Sequence, residues 1–154
     1  MKEGQPAPAF KLQDEEGQWI SLSDYAGTHV VLYFYPKDDT PGCTMEACSF
    51  RDEFAEFKTR GIVILGVSAD SVESHAKFKA KYHLSFPILS DPDKKTIKAY
   101  GVWKEKAMYG KKYMGIERAT FMIDGAGKIE KIFSKVKPSE HAQEILNCFA
   151  TLKR

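Results

Sequence analysis

Two short runs of β-branched, aromatic and leucine residues decide most of what this chain can fold into. Val30–Tyr35 is the longest uninterrupted apolar stretch and stops at Pro36; Ile62–Val67 is the second. Runs of that length and composition fit strands buried on both faces, as in a parallel sheet covered by helices. Between them Ala47, Phe50, Phe54 and Phe57 recur at spacings of 3, 4 and 3, one face of a helix that closes near Arg60-Gly61. A strand, a helix and a second strand make a right-handed crossover. The loop after Tyr35 then lies at the carboxyl edge of a central strand, where α/β proteins usually place their sites.

The remaining segments extend that unit. Phe10–Asp14 and Trp19–Leu22 flank Glu15-Glu16-Gly17 as an N-terminal hairpin. A helix is expected from about Val72 to Tyr82, and one or two helical turns over Lys94–Tyr100. Phe86–Leu89 reads as a short edge strand, because Pro87 argues against a central position. Ala119–Ile123 and Ile129–Phe133 around Asp124-Gly125-Ala126-Gly127 form a second hairpin. Ser139 reads as the cap of a last helix with Ile145, Leu146, Phe149 and Leu152 on its apolar side. Lys104–Lys112, with four lysines, one glutamate, Met108 and Tyr109, reads as a charged loop, either solvated or docking a reductant. The order predicts an α/β sandwich around a mixed sheet.

Composition narrows the function classes. The 154 residues carry no repeat or linker, so one domain over 1–154 is expected, long enough to bury a core without staples or a structural metal. Lys plus Arg number 23 against 21 Asp plus Glu, a net charge of +2, which gives no reason to invoke nucleic acid or an anionic membrane. No apolar run approaches the ~20 residues of a membrane helix, and the opening Met1–Pro6 lacks the apolar segment of a signal peptide. Three cysteines are too few and odd for a disulfide framework, so a cytoplasmic protein with a reactive thiol is expected. The histidines His29, His75, His83 and His141 show no metal-ligand spacing with the cysteines, and a metal-free protein with structural or surface histidines is expected.

The reactive segment is Pro36-Lys37-Asp38-Asp39-Thr40-Pro41-Gly42-Cys43-Thr44-Met45-Glu46-Ala47-Cys48. Thr40 is a natural N-cap and Pro41 fits the first helical position. Cys43 then falls in the first turn, ahead of the Ala47–Phe54 stripe, among unpaired backbone N–H groups at the positive end of the helix dipole. Both effects favour thiolate over thiol. Gly42 adds little bulk beside the sulfur. Cys48 lies five positions on, a Cα separation of about 8.5 Å in an intact helix. A disulfide needs roughly 4.4–6.8 Å. Cys43 and Cys48 can therefore pair only if the first turns unwind; otherwise Cys48 is an inert neighbour of Ala47.

The pattern Pro36-x-x-x-Thr40-x-x-Cys43 resembles the active-site signature of peroxiredoxins. The stretch Tyr33–Asp52, with its second cysteine at Cys48, is similar to the bacterioferritin comigratory protein branch, also called PrxQ. Gly4–Phe10, Gly66-Val67-Ser68 and Arg118-Ala119-Thr120-Phe121 extend the resemblance over nearly the whole chain. It implies a thioredoxin-like fold and a thiol peroxidase without metal, haem or flavin. Cys43 matches the peroxidatic cysteine, Thr40 the residue that orients the peroxide, Pro36 the one that shields the pocket, and Arg118 the arginine that approaches the thiolate. Glu46 matches a position that helps hold the arginine, or is an ordinary solvated helix residue. Cys48 matches the resolving cysteine. The expected substrates are hydrogen peroxide and organic hydroperoxides, the expected reductant thioredoxin or a similar dithiol, and the expected state a monomer. Cys148 has no place in the pattern and reads as a packed or idle thiol.

Two other classes compete. A thioredoxin-type dithiol–disulfide oxidoreductase would normally carry Cys-x-x-Cys, whereas Cys43-Thr44-Met45-Glu46 has no second thiol there. A redox-sensing chaperone would use the opened helix to bind a client and need not turn over.

Overall fold

The computed structural model of the chain describes residues 1–152. Its centre is a seven-stranded mixed sheet. The strands are β1 (Lys11–Gln13), β2 (Trp19–Ser21), β3 (His29–Phe34), β4 (Ile62–Ser68), β5 (Ile88–Ser90), β8 (Ala119–Ile123) and β9 (Ile129–Phe133), in the spatial order β2-β1-β5-β4-β3-β8-β9. β3, β4 and β5 run parallel, and β1, β8 and β9 pair antiparallel. The helices are α1 (Pro41–Asp52), α2 (Phe54–Thr59), α3 (Val72–Tyr82), α4 (Lys95–Ala99) and α5 (His141–Leu152). A separate two-stranded hairpin consists of β6 (Trp103–Met108) and β7 (Lys111–Ile116).

The alternation along β3 builds two cores at once. Val31, Tyr33 and Tyr35 face a cluster with Phe50, Phe57, Phe78, Phe86 and Ile145, covered by α1, α2, α3 and α5. Val30, Leu32 and Phe34 face the opposite cluster, with Leu12, Leu65, Ile97, Tyr100 and Phe121. Burying each of these large side chains is worth roughly 1.5–3 kcal/mol, which holds the βαβ unit rigid beneath its loops.

Four expectations need correction. The Phe86–Leu89 segment is not an edge: β5 starts after Pro87 and sits between β4 and β1, joined to β1 through Ser90↔Gln13. Pro87 precedes the strand and withholds no ladder donor from it. The Lys104–Lys112 segment is a hairpin, not a loop. Tyr109 (φ 52°) and Gly110 (φ 77°) make its two-residue turn, and positive φ at both positions is the geometry that matches strand twist. The apolar stripe 47–57 is split at Glu53 into two helices. The last helix begins at His141, two residues after Ser139; the expected contribution of the Leu152 side chain lies outside the described residues.

Candidate active site

The loop after Tyr35 reaches α1 through an anchor of buried polar groups. The Asp38 carboxylate accepts from Tyr35 Oη at 2.5 Å and Ser74 Oγ at 2.7 Å, and meets His75 Nδ1 at 2.7 Å. Asp38 N donates to Asp70 Oδ2 at 2.8 Å, which also accepts from Ser68 Oγ. His75 Nε2 faces the Leu89 carbonyl at 3.0 Å, so both ring nitrogens look at acceptors. Asp38, Asp70 and His75 bring ligand-type atoms within 4.8 Å of one another. Because both ring nitrogens face acceptors, neither presents a lone pair to a metal, and the cluster reads as a hydrogen-bonded anchor for the loop and not as a cation site.

Beyond the anchor, Thr40 is the N-cap of α1 and Pro41 its first residue. The cap is unusual in its direction of donation. Thr40 Oγ1 gives its proton to the Lys37 carbonyl at 2.8 Å instead of accepting from the helix, and the first turn closes through Thr44 N to Thr40 O at 2.8 Å. The Gly42 and Cys43 amides therefore have no side-chain cap. Cys43, only 2% exposed, lies beside these amides and against Tyr33, Ala47 and Phe50 in the first core. It thus stands on the apolar face, i to i+4 and i+7 with Ala47 and Phe50, and not ahead of it. A cation reaches it there from the connection between β7 and β8.

That cation is Arg118, immediately before β8. Its Nη2 donates to Cys43 Sγ at 3.3 Å and its Nη1 to Glu46 Oε1 at 2.6 Å. Glu46 is fully buried, so the solvated-helix reading fails. Burial pushes its carboxyl from the ordinary 4.5 up to about 7, opposed by the charge and hydrogen bond of Arg118. The guanidinium clamps sulfur and carboxylate together across 75 residues of sequence. A Cβ at Gly42 would stand 3.1 Å from Arg118 Nη2, so glycine leaves room for this approach. Pro36 is half-buried at the loop's start, and Thr40 half-buried at its end.

Cys48 shares α1 with Cys43, is half-buried and lies outside both core clusters. Both thiols are free. Cys148, on α5, packs at the edge of the first core, and burial pushes its thiol up. Sequence reasoning missed Tyr33 and the Asp38–His75 pair. Tyr33 is wholly buried, its ring 4.7 Å from that of Phe50, and its Oη has no protein partner among the described residues. Burial first, then the Glu46 charge, raises its pKa. Nothing in a lone tyrosine inside an apolar run signals this. The Asp38–His75 pair joins residues 37 apart, a distance no local pattern spans.

Residues 3–132 match the model of the AhpC/TSA family. Peroxiredoxin Bcp of Bacillus subtilis (strain 168) is 52% identical over 93% of this chain and 91% of its own length. The chain is a peroxiredoxin of the Bcp/PrxQ type. Peroxiredoxin Bcp of Escherichia coli (strain K12) is 45% identical over 96% of this chain and 94% of its own. Among solved structures, a cysteine mutant of Xylella fastidiosa PrxQ superposes with a TM-score of 0.95 at 39% identity, covering 100% of this chain and 98% of that one. Xanthomonas campestris bacterioferritin comigratory protein, described for its alkyl peroxide reduction activity, gives 0.89 at 42% identity over 94% and 92%. The thioredoxin-like fold follows from these likenesses, with the β1–β2 hairpin at its edge.

Proposed function

We propose that this peroxiredoxin reduces hydrogen peroxide and organic hydroperoxides through Cys43, and that Cys48 resolves the product. The carrying observation is the Arg118 guanidinium 3.3 Å from Cys43 Sγ at an uncapped helix start. In the first step the Cys43 thiolate attacks one peroxide oxygen and the O–O bond breaks. The sulfur is oxidised to sulfenic acid, and the departing oxygen takes a proton and leaves as water or an alcohol. Charge develops on sulfur and on the leaving oxygen. The free Gly42 and Cys43 amides and Arg118 are already aimed at that volume, which is electrostatic preorganisation. Thr40 Oγ1 keeps lone pairs free because its proton is given to Lys37, so it can accept the peroxide's own O–H. Pro36 limits access at the loop's start.

In the second step the Cys48 thiolate attacks the sulfenic sulfur, a disulfide forms and water leaves. About 8.5 Å between Cα atoms in an intact helix forbids this until the first turns unwind. Two thiol–disulfide exchanges with a thioredoxin-type dithiol then return both thiols. Resolution within one chain needs no neighbour, which supports a monomer. No helix among the described residues is long and apolar enough to cross a membrane, and free thiols suit a reducing cytoplasm.

The test is mass spectrometry of the reduced protein before and after one equivalent of hydrogen peroxide, with non-reducing peptide mapping. The expected product has lost two hydrogens and carries a Cys43–Cys48 link. C43S should not oxidise, and C48S should stop at sulfenic acid after one fast event. No prompt oxidation of the wild type would overturn the peroxidase reading. A link from Cys43 to another thiol would keep the enzyme and discard Cys48 as resolver.

A further inference from the structure

One face of the β6–β7 hairpin carries a lysine, Lys106, that feels the charges of Arg118 and Cys43. The hairpin's register pairs Lys104 with Gly115, Lys106 with Tyr113 and Met108 with Lys111, and directly opposed residues share a face. Those six residues therefore form one face. Trp103 and Ile116, at the base of the other face, belong to the second core. On the first face the Lys106 stem lies across Gly115: a Cβ there would meet Lys106 Cδ at 3.1 Å and Cε at 3.4 Å. Gly115 is three residues before Arg118, which touches Cys43 Sγ. Lys106 is half-buried where Lys104, Lys111 and Lys112 are exposed, and it makes no ion pair among the described residues. Burial lowers its pKa most, and the charges that act on it are Arg118, Cys43 and Glu117. Glu117 is the only acid in that set. Beside this ammonium, Met108 and Tyr113 are 56% and 44% exposed.

We propose that Lys106 is a specificity-determining residue that receives the carboxylate of a carboxylate-bearing organic hydroperoxide while the –OOH group reaches Cys43 and the chain lies along Met108 and Tyr113. The inference rests on the peroxidase reading of Cys43. Arg118 is held against Glu46 and the sulfur, which places its charge at the reacting centre and not out on the hairpin. Lys106 is a half-desolvated cation with no carboxylate of its own, and such a group pairs more strongly than a fully solvated one. Lys104 and Lys111 on the same face add positive potential, and the two exposed apolar side chains give an alkyl chain a surface. An amphiphilic anion uses all of these features; hydrogen peroxide uses none.

The experiment measures second-order rate constants for oxidation of the pre-reduced protein by a fatty-acid hydroperoxide, its methyl ester and hydrogen peroxide. Wild type, K106M and K106R are compared. K106M should lose about tenfold with the acid and less than twofold with the ester and hydrogen peroxide, and K106R should stay near wild type. The wild-type preference for acid over ester should shrink as salt rises. Equal slowing with all three peroxides would overturn the proposal, because Lys106 would then act on Cys43 itself. No change with any of them would also overturn it. Normal oxidation with slowed recycling by a dithiol would reassign the face to a protein partner. A wild type inert to all three would instead bring down the peroxidase reading.

Discussion

The loop before α1 and the first turns of α1 each bury a carboxylate, and the two are satisfied to different degrees. Asp38 has both oxygens engaged by Tyr35, Ser74 and His75. Glu46 has Oε1 on Arg118 and a buried Oε2 with no protein partner among the described residues. In a low-dielectric interior a complete network rigidifies, while an incomplete one sits at a cost that motion can relieve. The loop side is thus built to stay, whereas the first turns of α1, which the proposed Cys43–Cys48 pairing would require to unwind, are the less satisfied side.

The comparison is broken most sharply on the loop side. H75A removes one of the three side-chain partners of the buried Asp38 carboxylate and should destabilise the protein by about 2–3 kcal/mol, read from equilibrium denaturation. A loss below about 1 kcal/mol would mean that Asp38 is not an anchor. R118A acts on the α1 side and should slow the first oxidation by about 100-fold in stopped flow, as expected for loss of one preorganised donor. Its stability cost should depend on pH. Without Arg118 the two influences that lower the Glu46 pKa are gone. The carboxyl then stays neutral to higher pH, and the penalty of an unpaired buried charge appears only in alkali. A peroxide rate constant unchanged in R118A would remove the arginine from the site.

How much of this was legible depended on range. The βαβ frame could be read from Val30–Tyr35, the 47–57 stripe and Ile62–Val67, because period and composition are local. Cys43, Thr40 and Pro41 could be placed because cap chemistry is also local. The β6–β7 hairpin is hidden by the four lysines around its Tyr109-Gly110 turn, a two-residue signal that the sequence does carry. The burial of Glu46 is not legible locally, because the cation that pairs with it, Arg118, is 72 residues away. The central place of β5 depends on β1 closing over it, which Pro87 seemed to forbid.

Glu46 itself offers a finer test. Its carboxyl titrates near 7 in the closed helix, against about 4.5 when exposed. Between those values the closed form holds more protons than the opened one. Closure is therefore strongest in acid, weakens as pH rises from about 4.5 to 7, and is level above that. The sulfenate-to-disulfide step should accelerate across the same window. The informative quantity is the ratio of wild type to E46Q, in which contributions common to both variants cancel. That ratio should climb between pH 5 and 7 and then flatten. A ratio independent of pH would mean that helix opening does not expose Glu46.

The smallest effect is expected at Tyr33, and it separates two accounts of the incomplete network. Its ring is held by stacking on Phe50 and by the gap at Gly66, where a Cβ would lie 2.9 Å from the tyrosine Cζ. Neither contact needs the hydroxyl. Y33F keeps the ring and deletes a polar atom that feels the charges of Glu46, Cys43, Asp38 and Arg118. If the hydroxyl is idle, stability should change by less than about 1 kcal/mol, with any shift upward, since a buried polar atom without a partner costs free energy. The rates of oxidation and disulfide formation should be unaltered. If Y33F instead loses more than about 1 kcal/mol and the wild-type pH window of disulfide formation moves, Tyr33 and Glu46 are joined through a bridging water. The first turns of α1 would then be better satisfied than their protein contacts alone provide, and their readiness to unwind would have to come from the thin packing around Cys48.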